Sequence, residues 1–419
     1  MGSTGARDGL STIPLLRQHE FRALLVLRLT FSLAGSAFAT VVAFQIYELT
    51  RDPLALGLLG LVEAVPALSL MLLGGHVADR YDRRTIVIIT SLTATLCTAA
   101  LALLMATSLV TGVAILAVIF VAGFARGFER PALSAFEAQV ISRDQAVRGA
   151  SLVSSSSEFG FIVGPALGGI AIAVVGLAAT YALITVILLV STACILLIAR
   201  KPMPERVEGE RILESVLAGV NYVRRSPALL GSMALDLFAV FFGGAIALLP
   251  IFATDVLHVG PAGLGFLRAA PSVGALVVML IAGRWPPTRH AGRTLLICVA
   301  VFGVSMVVFG LSTSFALSLV ALLVSGAADG VSVIIRYTIL RVLSPERVRG
   351  RVAAVNWVFI GASNELGAFE SGIVARAFGT VPSVVGGGIF TLAIVGLVAL
   401  MVPSLRQLDL GTARPLDDD

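Results

Sequence analysis

Charge is scarce in this chain. Asp, Glu, Lys and Arg make up 13% of its 419 residues, about half the share an ordinary soluble domain carries. A water-facing globule is excluded on that ground, and with 57% hydrophobic residues and a mean hydropathy of +0.98 the chain reads as a membrane protein. Lysine is almost missing, Lys201 being the only one. Cysteine is limited to Cys97, Cys194 and Cys298, all inside apolar runs. They read as small buried hydrophobes, which excludes a disulfide framework. The four histidines are scattered without ligand spacing, so no metal site and no cofactor is expected. A nucleotide-binding P-loop, an H-E-x-x-H pair and a G-x-S-x-G elbow in strand–turn–helix context are all lacking, which argues against an enzyme and against ATP-driven pumping. A cleavable leader is not expected either. The first apolar run begins near Phe21, is too long for a signal core and lacks a small-residue cleavage site.

What the chain has is apolar runs long enough to cross a bilayer, about 20 residues each. They give about twelve spans at 21–48, 54–78, 85–107, 111–139, 146–172, 177–199, 228–254, 262–283, 292–312, 315–340, 351–375 and 382–403. The expected fold class is an all-α membrane protein with two pseudo-symmetric six-helix bundles. Its parts are an N-terminal stretch 1–20, a bundle 21–199, a linker 200–227, a second bundle 228–403 and a tail 404–419. The linker opens Lys201-Pro202-Met203-Pro204 and continues Glu210-Arg211-Ile212-Leu213-Glu214-Ser215-Val216-Leu217, the pattern of an amphipathic helix on the membrane surface.

The basic residues alternate between loops. One set holds Arg80, Arg83 and Arg84; Arg143 and Arg148; Arg200, Lys201, Arg206 and Arg211; Arg284, Arg289 and Arg293; Arg347, Arg349 and Arg351. The opposite loops hold little beyond Arg51 and Arg376. This is the positive-inside bias, and it puts both termini in the cytoplasm. A nucleic-acid-binding protein has no reason to alternate its arginines, so nucleic acid is not an expected partner. The halves repeat weakly: Val147-Arg148-Gly149 aligns with Val348-Arg349-Gly350 at an offset near half the chain. Parallel six-span repeats with a site near the midplane are a transporter pattern.

Between the second and third spans stands Gly75-His76-Val77-Ala78-Asp79-Arg80-Tyr81-Asp82-Arg83-Arg84, with five charges in its last six residues. The pattern G-x-x-x-D-R-x-x-R-R resembles the loop motif of the major facilitator superfamily of transporters. Further segments resemble its enterobactin-exporter-like branch, which is akin to macrolide exporters. These are Phe21-Arg22-Ala23 with Arg28, Gln45-Ile46, Tyr337-Thr338-Ile339-Leu340, Ser344-Pro345-Glu346 and Gly350-Arg351-Val352. Gly75 is read as allowing close helix packing. The resemblance implies that Asp79 adjoins the start of the eleventh span and complements its helix dipole. Arg80, Arg83 and Arg84 then pair with Asp79 and with Glu137 in a conformational latch; plain topology control is the other role of these arginines. The second half has a degenerate copy, Gly283-Arg284 through Gly292-Arg293, without the acid.

The fifth span carries Gly160, Gly164, Pro165, Gly168 and Gly169 in the spacing G-x-x-x-G-P-x-x-G-G. It resembles the antiporter motif of drug–proton exchangers, although the glycine expected upstream is Ser151. Small residues let helices approach and Pro bends them, so this helix reads as a seal or pivot; generic glycine packing is the plainer alternative.

Charges inside spans are costly and therefore candidate site residues: Glu63, Arg126, Glu129, Arg130, Asp236, Arg268, Asp329, Glu365 and Glu370, with Arg336 and Asn364 nearby. The family fold implies that spans one, four, seven and ten line the cavity. Arg126 and Asp329 then occupy nearly equivalent places and are expected to interact. Glu129 is expected to neutralise Arg126 and Arg130 in part. Arg336 reads as a snorkelling anchor. Glu63 and Glu370 with Arg268 suggest an outer gate. A proton carrier is expected among Glu63, Asp329, Glu365 and Glu370, with a structural ion pair as the alternative for each.

The resulting functional expectation is a secondary active exporter of a small amphipathic molecule, a siderophore or drug, driven by proton antiport. Its energy source is the proton gradient, its partners are substrate, protons and membrane lipids, and its place is the bacterial cytoplasmic membrane, as a monomer. Uptake or facilitated diffusion of a metabolite, and lipid flipping, remain alternatives.

Overall fold

The computed structural model describes residues 13–202, 212–243, 245–282 and 290–411, and among them no strand occurs. The chain forms two compact units, residues 1–42 with 62–206, and residues 43–61 with 207–419. The division falls inside the first two long helices. Met203, Pro204, Arg206, Glu210, Arg211, Gly283, Arg284 and Arg289 lie outside the described residues.

The first unit holds α1 (Ile13–Arg17), most of α2 (His19–Thr50) and α3 (Pro53–Arg80), then α4 (Arg83–Ala106), α5 (Gly112–Val140), a 3-10 turn (Arg143–Gln145) and α6 (Ala146–Leu196). The 24 residues of α4 rise about 36 Å, enough for a hydrocarbon core of about 30 Å. Large apolar side chains point outward, Leu96 and Leu103 among them. Hydroxyls point inward and tie helices together: Ser91 Oγ meets Thr192 Oγ1 at 2.7 Å, and Thr185 Oγ1 donates to Thr98 Oγ1 at 2.9 Å. That is the arrangement lipid demands, because apolar surface gains nothing by hiding from lipid while small polar groups bond across helices.

The fifth and sixth spans form one continuous element, α6, broken only at Gly176 (φ 80°, ψ 172°). Glycine alone enters that backbone region without strain. The chain reverses there. Ser156 Oγ on the first arm donates to Leu25 O (2.9 Å) and Ser191 Oγ on the second to Leu27 O (3.4 Å), one turn of α2 receiving both.

The second unit adds α7 (Ile212–Arg225), α8 (Pro227–Phe242), α9 (Ala245–Ile251), a π-turn (Phe252–Val256), α10 (Gly260–Ala282), α11 (Ala291–Leu311), α12 (Phe315–Leu343), α13 (Glu346–Phe378), α14 (Thr380–Met401) and α15 (Pro403–Arg406). The seventh span is thus interrupted after Phe242 and widens into the π-turn beyond Pro250. The amphipathic linker helix, α7, is docked on protein rather than only lying on a surface. Gly219 sits against the Arg351 backbone, Val223 is buried, and Tyr222 Oη donates to Leu343 O at 2.6 Å.

Ten helices among the described residues are long and apolar enough to cross a membrane. Counting both arms of the Gly176 bend and adding α13, which is long but too polar for that criterion, gives twelve.

Candidate functional site

In the first unit α3 and α5 approach until backbone nearly meets backbone. A methyl on Gly123 would come within 2.7 Å of Pro66 Cγ, and one on Gly127 within 3.1 Å of Ala67 O. Gly74 contributes from the other side: a methyl there would run into the Gly127 carbonyl and stand 3.0 Å from Phe128 Cα. Gly75, expected to do this, has open space around it. One residue turns a helix by about 100°, so the packing glycine is its neighbour.

This close crossing brings Glu63 on α3 to Arg126 on α5, Oε1 to Nη1 at 2.6 Å. Glu129, one turn on, is buried, and the charges of Arg126, Arg130 and Arg28 act on it. Arg130 itself is exposed. Arg28 of α2 pairs with Glu137 of α5 at 2.9 Å. Two ion pairs and the buried Glu129 therefore share this bundle interior, with Arg130 acting from the exposed face of α5. The partner expected for Glu137 was a loop arginine; α2 supplies Arg28 instead because α2 and α5 lie side by side at that level.

The second unit repeats the crossing between α10 and α12. Gly326 meets the Pro271 backbone, and a methyl on Gly330 would stand 3.1 Å from Ala275 Cα. The local sequences correspond with inverted charge: Glu63-Ala64-Val65-Pro66 on α3 against Arg268-Ala269-Ala270-Pro271 on α10, and Arg126-Gly127 on α5 against Asp329-Gly330 on α12.

Arg126 and Asp329, expected to interact, are each engaged in their own unit. Asp329 Oδ1 lies 3.4 Å from Arg336 Nη2, two turns along α12. Arg336 also forms an ion pair with Asp236 of α8, both side chains being 10% exposed. The snorkelling expected of Arg336 is thereby overturned: its face of α12 points at α8, so a buried carboxylate holds the guanidinium. Asp236, Asp329 and Ser332 line a cavity of about 10 Å³ with Cys298 and Phe302, room for one water. Two carboxylates here share one guanidinium, and Arg336 is the cation that acts on both.

The remaining intramembrane candidates lie on α10 and α13. Arg268 is half-buried on α10, and Glu370 is half-buried on α13. Glu365 Oε2 lies over Gly60, 2.8 Å from where a methyl would stand. The Glu63 limb of the expected outer gate is occupied otherwise, by Arg126.

At the charged loop, Asp79 is largely exposed and pairs with Arg83 at 3.6 Å. Arg83 also donates to Ala78 O (3.1 Å) and Ala135 O (3.3 Å). Arg84 donates to Ile195 O (3.3 Å) and Leu196 O (3.0 Å), capping the carbonyl end of α6. Arg80 forms no ion pair among the described residues. Asp82 caps α4, accepting from Arg84 N (3.2 Å) and Thr85 Oγ1 (2.8 Å).

The glycines of the fifth-span motif press on α2. A methyl at Gly160 would stand 2.8 Å from Leu29 O, one at Gly164 2.6 Å from Leu33 O, and one at Gly168 3.2 Å from Ala37 Cα. Ser36 Oγ donates to Gly160 O at 3.0 Å. Pro165 and Gly169 are buried in the same face.

One cluster escaped the sequence reading. In the second unit Arg51 pairs with Glu48 (2.9 Å) and Asp255 (3.2 Å), its guanidinium 5.5 Å over the Tyr47 ring, and Tyr47 Oη donates to Asp255. Arg376 pairs with Asp52 at 3.4 Å. The signal was present, since these two arginines alone stand in the loops poor in basic residues.

Residues 10–417 match the transmembrane secretion effector family. The chain belongs to that family. As a transmembrane secretion effector it is an integral multi-pass membrane protein and a secondary transporter of the major facilitator type. It is 26% identical over 398 residues to the enterobactin exporter EntS of Shigella boydii serotype 18, covering 94% of each chain. To EntS of Escherichia coli O139:H28 it is 25% identical over the same length. Among solved structures, this secretion effector superposes on a bacterial homologue of the human lysosomal transporter Spinster, inward-facing and unoccupied. The TM-score is 0.71 at 15% identity, over 94% of this chain and 98% of that one. A POT family transporter in complex with 5-aminolevulinic acid gives 0.74 at 11% identity, over 92% and 96%. Such likeness establishes the major facilitator fold.

Proposed function

We propose that this secretion effector exports a small amphipathic molecule in exchange for protons, and that Asp236, Arg336 and Asp329 form the proton-handling group. The carrying observation is their charge balance. Two carboxylates around one guanidinium leave one negative charge in excess, and a single bound proton restores neutrality beside a water-sized cavity. Uncompensated charge inside a membrane bundle is costly, so proton uptake and release there couples to access from water. In the first unit the ion pairs Glu63–Arg126 and Arg28–Glu137 serve to hold α2, α3 and α5 together. Export as the direction is supported by the full-length similarity to EntS and by the α6 glycine–proline motif. A siderophore or drug is the substrate class this suggests. The functional halves are 21–199 and 228–403, joined by the linker, in a monomer of the bacterial cytoplasmic membrane with both termini inside. The charged loop, with Asp79 and Arg83, acts as the latch.

The test uses proteoliposomes under an imposed pH gradient, challenged with catecholate siderophores and macrolides. The expected result is substrate-dependent collapse of the gradient, lost in Asp329→Asn and in Asp236→Asn while substrate binding survives. Transport that persists undiminished without a gradient, or gradient collapse unchanged in both variants, overturns the reading.

A further inference from the structure

A cavity in the second unit is lined by none of the intramembrane acidic or basic residues described above. It measures about 690 Å³ and opens between the start of α11, the end of α14 and α15, lined by His290, Arg293, Ile297, Val395, Arg406 and Gln407. Its rim is cationic. Arg293 and Arg406 are exposed and form no ion pair among the described residues. Asp409, after α15, accepts from His290 N (3.4 Å) and Gly411 N (2.9 Å).

The rim is also fixed in place. Leu405 is fully buried, Gly292 N donates to Leu408 O at 3.2 Å, and α15 presses on Gly292 so closely that a methyl there would overlap the Leu405 carbonyl. A four-residue helix this well anchored holds Arg406 opposite Arg293. Below the rim the walls turn apolar, through Leu296, Ile297, Ala300 and Val395. Ile297, Leu397, Leu400 and Met401 on the same two helices are exposed. Arg293 and Ala300 are separated by about 10 Å along α11, so the change from cationic to apolar follows the depth of one bilayer leaflet.

We infer that this cavity binds an anionic phospholipid, its phosphate between Arg293 and Arg406 and its acyl chain along Ile297, Ala300 and Val395. Paired basic residues at the end of membrane helices attract anionic head groups, and the apolar groove beneath selects a lipid over a free anion. Among the described residues neither guanidinium is paired with a carboxylate, so its charge faces the ligand.

The experiment is photolabelling of the full-length protein in nanodiscs of phosphatidylcholine doped with photoactivatable phosphatidylglycerol, with peptide mapping of the adduct. Labelling is expected at residues 293–300 and 395–407, unaffected by millimolar inorganic phosphate and absent with photoactivatable phosphatidylcholine. Arg293→Gln with Arg406→Gln is expected to weaken lipid binding about 25-fold, with thermal unfolding of the variant reporting that it remains folded. Equal labelling by the zwitterionic lipid overturns the inference, as does undiminished labelling in the folded double variant. Displacement by inorganic phosphate makes the site one for a soluble anion and overturns the lipid assignment.

Discussion

Replacing Arg336 by glutamine removes the one cation that Asp236 and Asp329 share. Arg336 and Asp236 are each 10% exposed, so the pair is desolvated, and deleting one partner of such a pair costs about 3–5 kcal/mol. For a unit of this size about 2–4 °C accompanies each kcal/mol, which places the loss of unfolding midpoint at about 6–20 °C. Asp329→Asn removes only the longer contact of a half-exposed carboxylate, worth about 0.2–1 kcal/mol. The triple variant Asp236→Asn, Asp329→Asn, Arg336→Gln keeps the shape and removes every charge, so its midpoint returns to within about 4 °C of the wild type. Cys97 and Cys194 are buried and Cys298 lines the cavity, so a thiol-reactive fluorophore reads the unfolding directly. The reasoning is refuted if Arg336→Gln is no less stable than Asp329→Asn, or if the triple variant is as unstable as Arg336→Gln alone.

Neighbouring glycines should behave oppositely: Gly74→Ala, forced against the Gly127 carbonyl, costs about 1–3 kcal/mol, whereas Gly75→Ala, with open space, gains up to about 1 kcal/mol of helix propensity; thermal unfolding of the two variants checks this. A double-mutant cycle on Glu63→Gln and Arg126→Gln should return a coupling of about 0.5–3 kcal/mol, and additivity would deny the ion pair. Asp82→Ala should cost about 1 kcal/mol by uncapping α4, and Asp82→Ser should recover most of it. Gly164→Leu drives a side chain into the α2 backbone and should abolish folded protein in size-exclusion profiles, while Leu167→Ala on the exposed face leaves the profile unchanged.

Legibility in the sequence divided along a physical line. The spans were readable because lipid imposes length and apolarity locally, and the break between 172 and 177 with them, though not the single glycine that makes it. Depth was readable as well, since Glu63, Arg126, Asp236 and Asp329 all lie within their helices. Rotation about the helix axis was not. Whether Gly74 or Gly75 packs, and whether Arg336 faces α8 or lipid, depends on about 100° of turn that no local pattern encodes in a uniformly apolar helix. Long-range partners were hidden for the same reason, as with Arg28 for Glu137 and Asp255 for Arg51 and Tyr47. The charge-inverted repeat was on the page from the start, in Pro66 against Pro271 and Gly127 against Gly330, but its meaning needed the two crossings to be seen.

The hairpin at Gly176 leaves a practical mark on the molecule. Where most connections offer several residues to the aqueous phase, this one passes from helix to helix through a single glycine. A protease finds no extended segment to thread there, an inserted epitope has no slack to occupy, and an impermeant label has almost no backbone to reach. A side chain at Gly176 would meet open space but strain the backbone by about 1–3 kcal/mol, so it is conformation rather than room that reserves the position for glycine. The two arms it joins are left with no slack between them.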